Sequence, residues 1–191
     1  MNVVPEGASM TEFEALRLVV KQLRDPETGC PWDRALTHEE LKPTCIEEAA
    51  EVICGVNILR ETGNPEGLQE ELGDLLLQVI MHAQIAEEEG LFNMDDVCRT
   101  VREKMVRRHP HVFSHQKSAD RDTPAEAEQH LTPAEAEQPQ STEQLSWDEI
   151  KRREKAGKEW MDAYLPDAML EARELVDRAR RRKGFLTETD A

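Results

Sequence analysis

One stretch of the chain, residues 64–90, restricts the fold more than any other. It begins with Asn-Pro and ends at a glycine, which are residue types that open and close α-helices. Between these ends, apolar residues recur at helical spacing along one side: Leu68, Leu72, Leu75, Leu76 and Val79. A second line of side chains is polar at one end, and its members are Glu71, Asp74, Gln78 and Met81. Because two faces carry patterned side chains, we expect this helix to lie inside a helical bundle.

The neighbouring segments have the same helical character. Apolar periodicity and capping residues predict three more helices before residue 114, at about 10–24, 44–61 and 93–108. Residues 25–36 contain two prolines and a glycine, so we expect a loop there. Two capping-box patterns precede the second helix, Thr37 with Glu40 and Thr44 with Glu47. Short connections favour antiparallel neighbours, so the predicted fold is all-α, an antiparallel four-helix-type bundle.

The sequence changes character after Phe113. Residues 114–145 are polar, contain TPAEAEQ twice and carry too few apolar side chains to offset the entropy of ordering. We expect a flexible acidic linker there, which divides the chain into a domain over 1–113, the linker, and a C-terminal helical tail over 146–191. In the tail, the sequence predicts helices at about 147–160 and 167–182, with Gly184 ending the second.

Charge and composition exclude several classes of function. The formal net charge of −16 argues against non-specific binding to nucleic acid or to an anionic membrane, since both favour basic proteins. No apolar run approaches the roughly 18–20 residues that cross a bilayer, and the N-terminal sequence lacks the regions of a signal peptide. The four cysteines lack the spacing of zinc ligands. We therefore expect a cytoplasmic protein with reduced thiols.

Four carboxylates on the second and third helices are the strongest indication of a site. Glu48 and Glu51 are three residues apart, as are Glu71 and Asp74, so each pair shares one face of its helix. If the two helices are antiparallel neighbours, all four carboxylates meet. Two unit charges about 4 Å apart repel by about 4 kcal/mol at an effective dielectric constant near 20, so such a cluster requires protonation, cations or a metal. Acidic residues solvated on an exposed helix face are the alternative interpretation.

The residue types in this cluster limit which metal ion it can bind. Oxygen ligands without histidine or cysteine favour Mg²⁺, with Mn²⁺ as a substitute. Di-iron bundle proteins also use carboxylates from several helices, but they require Glu-x-x-His pairs. In this chain, none of the six histidines follows a glutamate by three residues. We therefore expect a Mg²⁺ site, which would also bind substrate phosphates directly.

Cations lie at the end of the fourth helix. Lys104 and Arg108 are four residues apart and share a face, and Arg107 lies beside them. Near a metal site, such side chains would hold phosphate oxygens. Cations also favour a helix C-terminus for electrostatic reasons alone, so both interpretations stay open.

A tryptophan in the first loop is a candidate for nucleobase contact. Trp32 and Asp33, together with His38, would supply a ring for stacking and polar groups for the base edge. Packing of Trp32 at the end of the bundle is an equally weighted alternative.

With these residues laid out, the chain resembles the MazG family of nucleoside triphosphate pyrophosphohydrolases. The matching segments are LRDPETGCPWDRALTHEELKP (23–43), EEAAE (47–51), EELGDLLLQVIMHAQIAEEEG (70–90), EKMVRRHPHVF (103–113) and, more weakly, WDEIKRREK (147–155). The resemblance implies an all-α bundle completed by dimerisation, as a homodimer or a dimer of dimers. It also implies Mg²⁺-dependent hydrolysis of NTPs or dNTPs at the α–β bond, giving the monophosphate and pyrophosphate, with housecleaning of damaged nucleotides as a role.

The resemblance also implies roles for individual residues. The family's metal ligands fall on Glu48, Glu51, Glu71 and Asp74, with Glu47 as a helper. Its phosphate-binding cations match Lys104 and Arg108, with Arg107 as a near alternative. As a mechanism, we expect Glu47 or Glu48 to take the proton of the attacking water.

Two other functions remain open at this stage. A phosphoribosyl-ATP-type pyrophosphohydrolase is a related alternative, although the CPWD and RRHPHVF segments favour the MazG type. A non-catalytic helical module that binds nucleotide or metal is the alternative from another class. The chain departs from longer members of the family, which carry two such domains, because its tail looks like only the start of the second.

Overall fold

The computed structural model describes residues 10–113, 152–153 and 155–185. These residues form helices and contain no strand, which confirms the predicted all-α class. The helices are α1 (Glu12–Leu23), α2 (Pro31–Ala35), α3 (His38–Thr62), α4 (Glu66–Glu88), α5 (Met94–Arg108), α6 (Pro110–Phe113) and α7 (Glu159–Arg182). Among these helices, none is both long and apolar enough to cross a membrane. The predicted linker over 114–145 lies outside the described residues.

The described residues form two compact units. The first contains residues 10–98 and 165–185, and the second contains residues 99–113, 152–153 and 155–164. Both acidic pairs belong to the first unit. The cations at the end of α5 belong to the second.

The start of α3 differs from the prediction. Thr37 and Glu40 form the predicted capping box, with the Thr37 N–H donating to the Glu40 carboxylate over 2.8 Å. The second predicted box, at Thr44, is wrong, because α3 continues through it with Pro43 inside the helix. Pro43 removes one backbone hydrogen bond close to the N-terminus, but Leu41 just before it is buried in the core and holds this first stretch of helix in place.

The loop predicted over 25–36 contains a short helix, α2. Pro31 occupies its first position, where the missing N–H of proline is not needed. Before it, a Cβ atom on Gly29 would lie 2.5 Å from the backbone oxygens of both Leu23 and Asp25, so only glycine fits that turn.

Helix ends further along the chain largely follow the sequence. Gly63 ends α3 at a φ of 74°, and Asn93 caps α5 by accepting a hydrogen bond from the Asp96 N–H over 3.1 Å. The helix predicted to begin at Pro65, with Asn64 as its cap, begins one residue later, with Asn64 Oδ1 accepting from the Glu66 N–H at 2.9 Å. In the tail, residues 152, 153 and 155 are helical, and a turn at residues 156–157 ends this stretch before the predicted end at about 160. The second tail helix, α7, begins at Glu159, before its predicted start at about 167, and contains Pro166.

The hydrophobic core lies at one end of the α3–α4 hairpin. Its buried members are Val20, Leu41, Ile80, Met81, Ala83, Ile85 and Met94, with Phe13, Leu16, Leu36, Leu77 and Val97 packed against them. The other end of α4 is more open, since Leu72, Leu76 and Val79 are 49%, 36% and 39% exposed. These three residues belong to the first, apolar stripe. The second face that the sequence predicts to be covered is buried at one end, where Gln78 and Met81 are 6% and 4% exposed.

Candidate metal centre

Helices α3 and α4 are antiparallel and approach closely at a glycine. A Cβ atom built on Gly55 would lie only 2.8 Å from the Cα atom of Leu68, so the two helix backbones nearly touch there. Further along the pair, Cys45 contacts His82, with 3.4 Å between Sγ and Nε2. This register places the acidic residues of α3 opposite those of α4.

Three of the four predicted ligands meet in this register. Glu48, Glu71 and Asp74 each direct one carboxylate oxygen to a common point, and these oxygens lie within 4.8 Å of one another. The fourth, Glu51, contacts the ammonium group of Lys183 instead. Its neighbour Glu47 contacts the guanidinium group of Arg182.

The electrostatics of the cluster favour a bound cation. Burial raises the pKa of Glu48 above its ordinary value, and the nearby carboxylates of Asp74 and Glu71 raise it further. Both causes disfavour the ionised form. A divalent cation between the three groups would offset the repulsion and restore the charged state.

The spacing of the oxygens fits a small hard cation. Mg²⁺ holds its oxygen ligands at about 2.0–2.1 Å in an octahedron, so neighbouring ligands lie about 3 Å apart and opposite ones about 4 Å apart. The three oxygens lie within 4.8 Å of one another, which is close enough for the three carboxylates to share one cation. Carboxylates alone also match the ligand preference of Mg²⁺ and Mn²⁺.

A buried arginine that the sequence reasoning missed supports the loop carrying Trp32. The side chain of Arg24 is 6% exposed and pairs with Glu88, with 2.8 Å between Nη2 and Oε2. Arg24 also donates to the backbone oxygens of Asp33 and Leu36. It therefore ties α1 and α4 to the middle and the C-terminal end of α2. No local pattern could have indicated a cation whose partner lies 64 residues away.

We expect Arg24→Met to lower the free energy of unfolding by about 2 kcal/mol at neutral pH, because it removes a buried charged donor that two carbonyls and a carboxylate share. The hydrogen bond from Arg24 lowers the pKa of Glu88 from its ordinary value of 4.5. The Arg24–Glu88 pair therefore contributes fully to the free energy of unfolding above pH 4.5, the ordinary pKa. This contribution is lost as the pH falls through the lower pKa that Glu88 has in the folded protein. Urea unfolding of the wild type and the variant at pH 7 and pH 3.5 measures this contribution. If the two proteins differ in free energy of unfolding by the same amount at both pH values, the role of the Arg24–Glu88 pair is wrong.

The predicted nucleobase contacts have distinct environments. Trp32 is 83% exposed, so packing of its ring at the end of the bundle is not seen within the described residues. His38 pairs with His82, with 2.7 Å between their Nδ1 atoms and the rings stacked 5.0 Å apart. Burial, and secondarily the charge of His38, lower the pKa of His82. One proton shared between the two Nδ1 atoms satisfies this contact.

Gln78 is a buried polar residue near the cluster. The sequence indicated only that it lies on the second, partly polar face of α4. It is 6% exposed, and among the described atoms its Oε1 has no hydrogen-bond partner. It lies one helical turn from Asp74 on one side and from His82 on the other. A buried acceptor of this kind next to the cluster has capacity for a donor from water or a bound ligand.

The predicted phosphate-binding cations belong to the second unit. Lys104, Arg107 and Arg108 lie on the last two turns of α5, and Lys104 and Arg108 are partly buried. Their role toward substrate phosphates stays a prediction.

Comparison with known proteins places the cluster inside a defined domain. Residues 36–113 match the family model described as the MazG nucleotide pyrophosphohydrolase domain. A Thermotoga maritima protein named nucleoside triphosphate pyrophosphohydrolase/pyrophosphatase MazG is 54% identical over 101 residues, which are 53% of this chain and 38% of the relative. An Escherichia coli K12 protein named nucleoside triphosphate pyrophosphohydrolase is 39% identical over 150 residues, 78% of this chain and 48% of the relative. The chain thus spans about half, or less, of the length of these relatives.

Proposed function

We infer, from the MazG nucleotide pyrophosphohydrolase domain that residues 36–113 of this chain carry, that the protein hydrolyses nucleoside triphosphates. We place the cleavage at the α–β bond, which gives the nucleoside monophosphate and pyrophosphate. The observation that carries the proposal is the meeting of Glu48, Glu71 and Asp74 across α3 and α4. All three residues lie inside the matched domain.

The carboxylates would hold Mg²⁺, with Mn²⁺ as a substitute. Glu48, Glu71 and Asp74 are the core ligands in this proposal, and Glu51 is a fourth once it is free of Lys183. When bound, the ion lowers the pKa of a coordinated water and neutralises phosphate charge. Glu47 or Glu48 would accept the proton of the attacking water, since both lie on the face of α3 that carries the cluster.

The remaining predicted residues would orient the nucleotide. Trp32 offers an exposed ring for stacking on a base, with Asp33 and His38 as polar neighbours. We propose Lys104 and Arg108, with Arg107 beside them, as the cations that neutralise the leaving pyrophosphate.

A homodimer, or a dimer of dimers, would cover the apolar surface that one chain leaves open. The half-exposed side chains of the α3–α4 hairpin include Ile53, Val56, Leu72, Leu76 and Val79. Several large apolar side chains exposed on two neighbouring helices are typical of an association site. Light scattering after gel filtration should give at least twice the 21.8 kDa of one chain, and a mass of one chain at micromolar concentration would contradict the proposal.

A pyrophosphate-release assay tests the proposed reaction. We expect NTPs or dNTPs to yield equal amounts of monophosphate and pyrophosphate, with release dependent on Mg²⁺. The panel should contain standard and oxidised or deaminated nucleotides, because housecleaning of damaged nucleotides predicts higher kcat/KM for the latter. Turnover of phosphoribosyl-ATP alone would favour the related enzyme, and metal-dependent nucleotide binding without any product would favour a non-catalytic module. A cytoplasmic location stays a prediction from the sequence.

A further inference from the structure

The C-terminal part of α7 lies beside the acidic face of α3 within the first unit. Ala172, Val176 and Ala179 form one stripe of α7, and Lys183, directly after the helix, continues it at helical spacing. Val176, Ala179 and Lys183 line a groove of about 400 Å³, and α3 residues such as Glu47 and Glu51 line it too.

Additional contacts fix the position of this segment against α3. Near the other end of the segment, Glu171 pairs with Lys42 of α3, with 3.2 Å between Oε1 and Nζ. Gly184, at a φ of 75°, ends the helix. The Phe185 N–H then donates to the Arg180 carbonyl over 2.8 Å, and this turn brings the Phe185 ring to the groove. The segment is thus docked at both ends, but an open groove remains between them.

Two cations at the end of α7 contact carboxylates that lie next to the cluster of three candidate metal ligands. Arg182 contacts Glu47, and Lys183 contacts Glu51. The Glu47 side chain is only 14% exposed, so little of this carboxylate is open to solvent beside its contact with Arg182. These two glutamates flank Glu48, which is one of the three clustered ligands.

We propose that residues 165–185, which we call the basic plug, form an autoinhibitory element that competes with the divalent cation for these carboxylates. The inference rests on the proposed function, because it takes Glu51 as a metal ligand and the cluster as the catalytic centre. An ammonium group and a metal ion on the same carboxylate repel each other, so each weakens the binding of the other at Glu51. Binding of the metal therefore releases the plug, and by linkage the docked plug weakens binding of the metal by an equal factor.

The plug is held weakly enough to be displaced. Exposed ion pairs contribute little because water and salt screen them, and the Lys183 and Glu51 side chains are 37% and 35% exposed. The open groove beneath the helix also leaves part of its apolar stripe unpacked. A divalent cation bound by several carboxylates can overcome contacts of this strength.

Calorimetric titration of the full chain with Mn²⁺ tests the competition. We expect Arg182→Ala combined with Lys183→Ala to bind Mn²⁺ about three- to tenfold more tightly than the wild type. The matched control is Arg178→Ala combined with Arg181→Ala, both exposed. It removes the same charge from the same helix, on the side facing away from the stripe at 100° per residue. The control should change the dissociation constant by less than about twofold.

Hydrogen exchange of the wild type provides a second readout, because a helix with only a structural role would not change its exchange rates when Mn²⁺ is added. On addition of Mn²⁺, amides of residues 165–185 should exchange faster, because the plug is released. Equal Mn²⁺ affinity in the wild type and the plug variant, or unchanged exchange on addition of Mn²⁺, would overturn the inference while leaving the metal site intact. Absence of Mn²⁺ binding in every variant would instead overturn the proposed function and the inference with it.

Discussion

Asp74→Asn is expected to lower Mg²⁺-dependent pyrophosphate release by at least about 100-fold in kcat/KM, which corresponds to about 2.7 kcal/mol of lost transition-state stabilisation. The amide keeps the shape of the side chain but removes the charge that a hard cation requires. Because Asp74 is exposed and close to two other carboxylates, the loss of charge should leave the free energy of unfolding unchanged or slightly raised. Steady-state kinetics and urea unfolding of the same preparations measure both quantities.

A neighbouring acid on α4 supplies the matched control. Glu70→Gln makes the equivalent change at an exposed position of the same helix, outside the three clustered carboxylates. It should retain kcat/KM to within about threefold. Equal activity of Asp74→Asn and the control would show that the cluster does not serve catalysis.

Gly55→Ala should lower the free energy of unfolding by about 1–3 kcal/mol. Helix propensity alone predicts the opposite sign, since alanine is favoured over glycine by about 1 kcal/mol inside a helix. The added Cβ atom would lie 2.8 Å from the Cα atom and 3.0 Å from the nitrogen of Leu68, and backbone atoms cannot rotate away. Helices α3 and α4 would have to separate, which would also widen the spacing of the carboxylates and reduce activity.

Gly73→Ala tests the same argument with the opposite sign. Gly73 lies inside α4, and a Cβ atom there meets nothing within 4 Å among the described atoms. Its replacement should raise the free energy of unfolding by up to about 1 kcal/mol. If chemical denaturation shows both substitutions to be stabilising, the close approach of the two helices at Gly55 is wrong.

Much of the fold could be predicted because its determinants are local. The long α4 follows from its apolar spacing, and the caps at Thr37 and Asn93 follow from side chains three residues apart. The same local pattern can also occur inside a helix, which explains the error at Thr44. The sequence there satisfies a capping box, but burial of Leu41 in the core extends the helix in front of it.

The cluster itself was predictable in part. Glu48, Glu71 and Asp74 meet because i, i+3 pairs on two antiparallel helices face each other. The partners of Glu47 and Glu51 could not be inferred, since the contact with Lys183 joins residues 132 positions apart. Arg24 and the His38–His82 pair are likewise products of long-range packing, which no spacing along the chain encodes.

We propose that Glu48, Glu71 and Asp74 hold the divalent cation that the hydrolysis requires. Anomalous diffraction from crystals of the full chain soaked in Mn²⁺ tests it most directly. We predict an anomalous peak about 2.0–2.3 Å from carboxylate oxygens of all three residues. A crystal with Mn²⁺ bound elsewhere and none at these carboxylates, from protein that releases pyrophosphate in the presence of Mn²⁺, would contradict the claim.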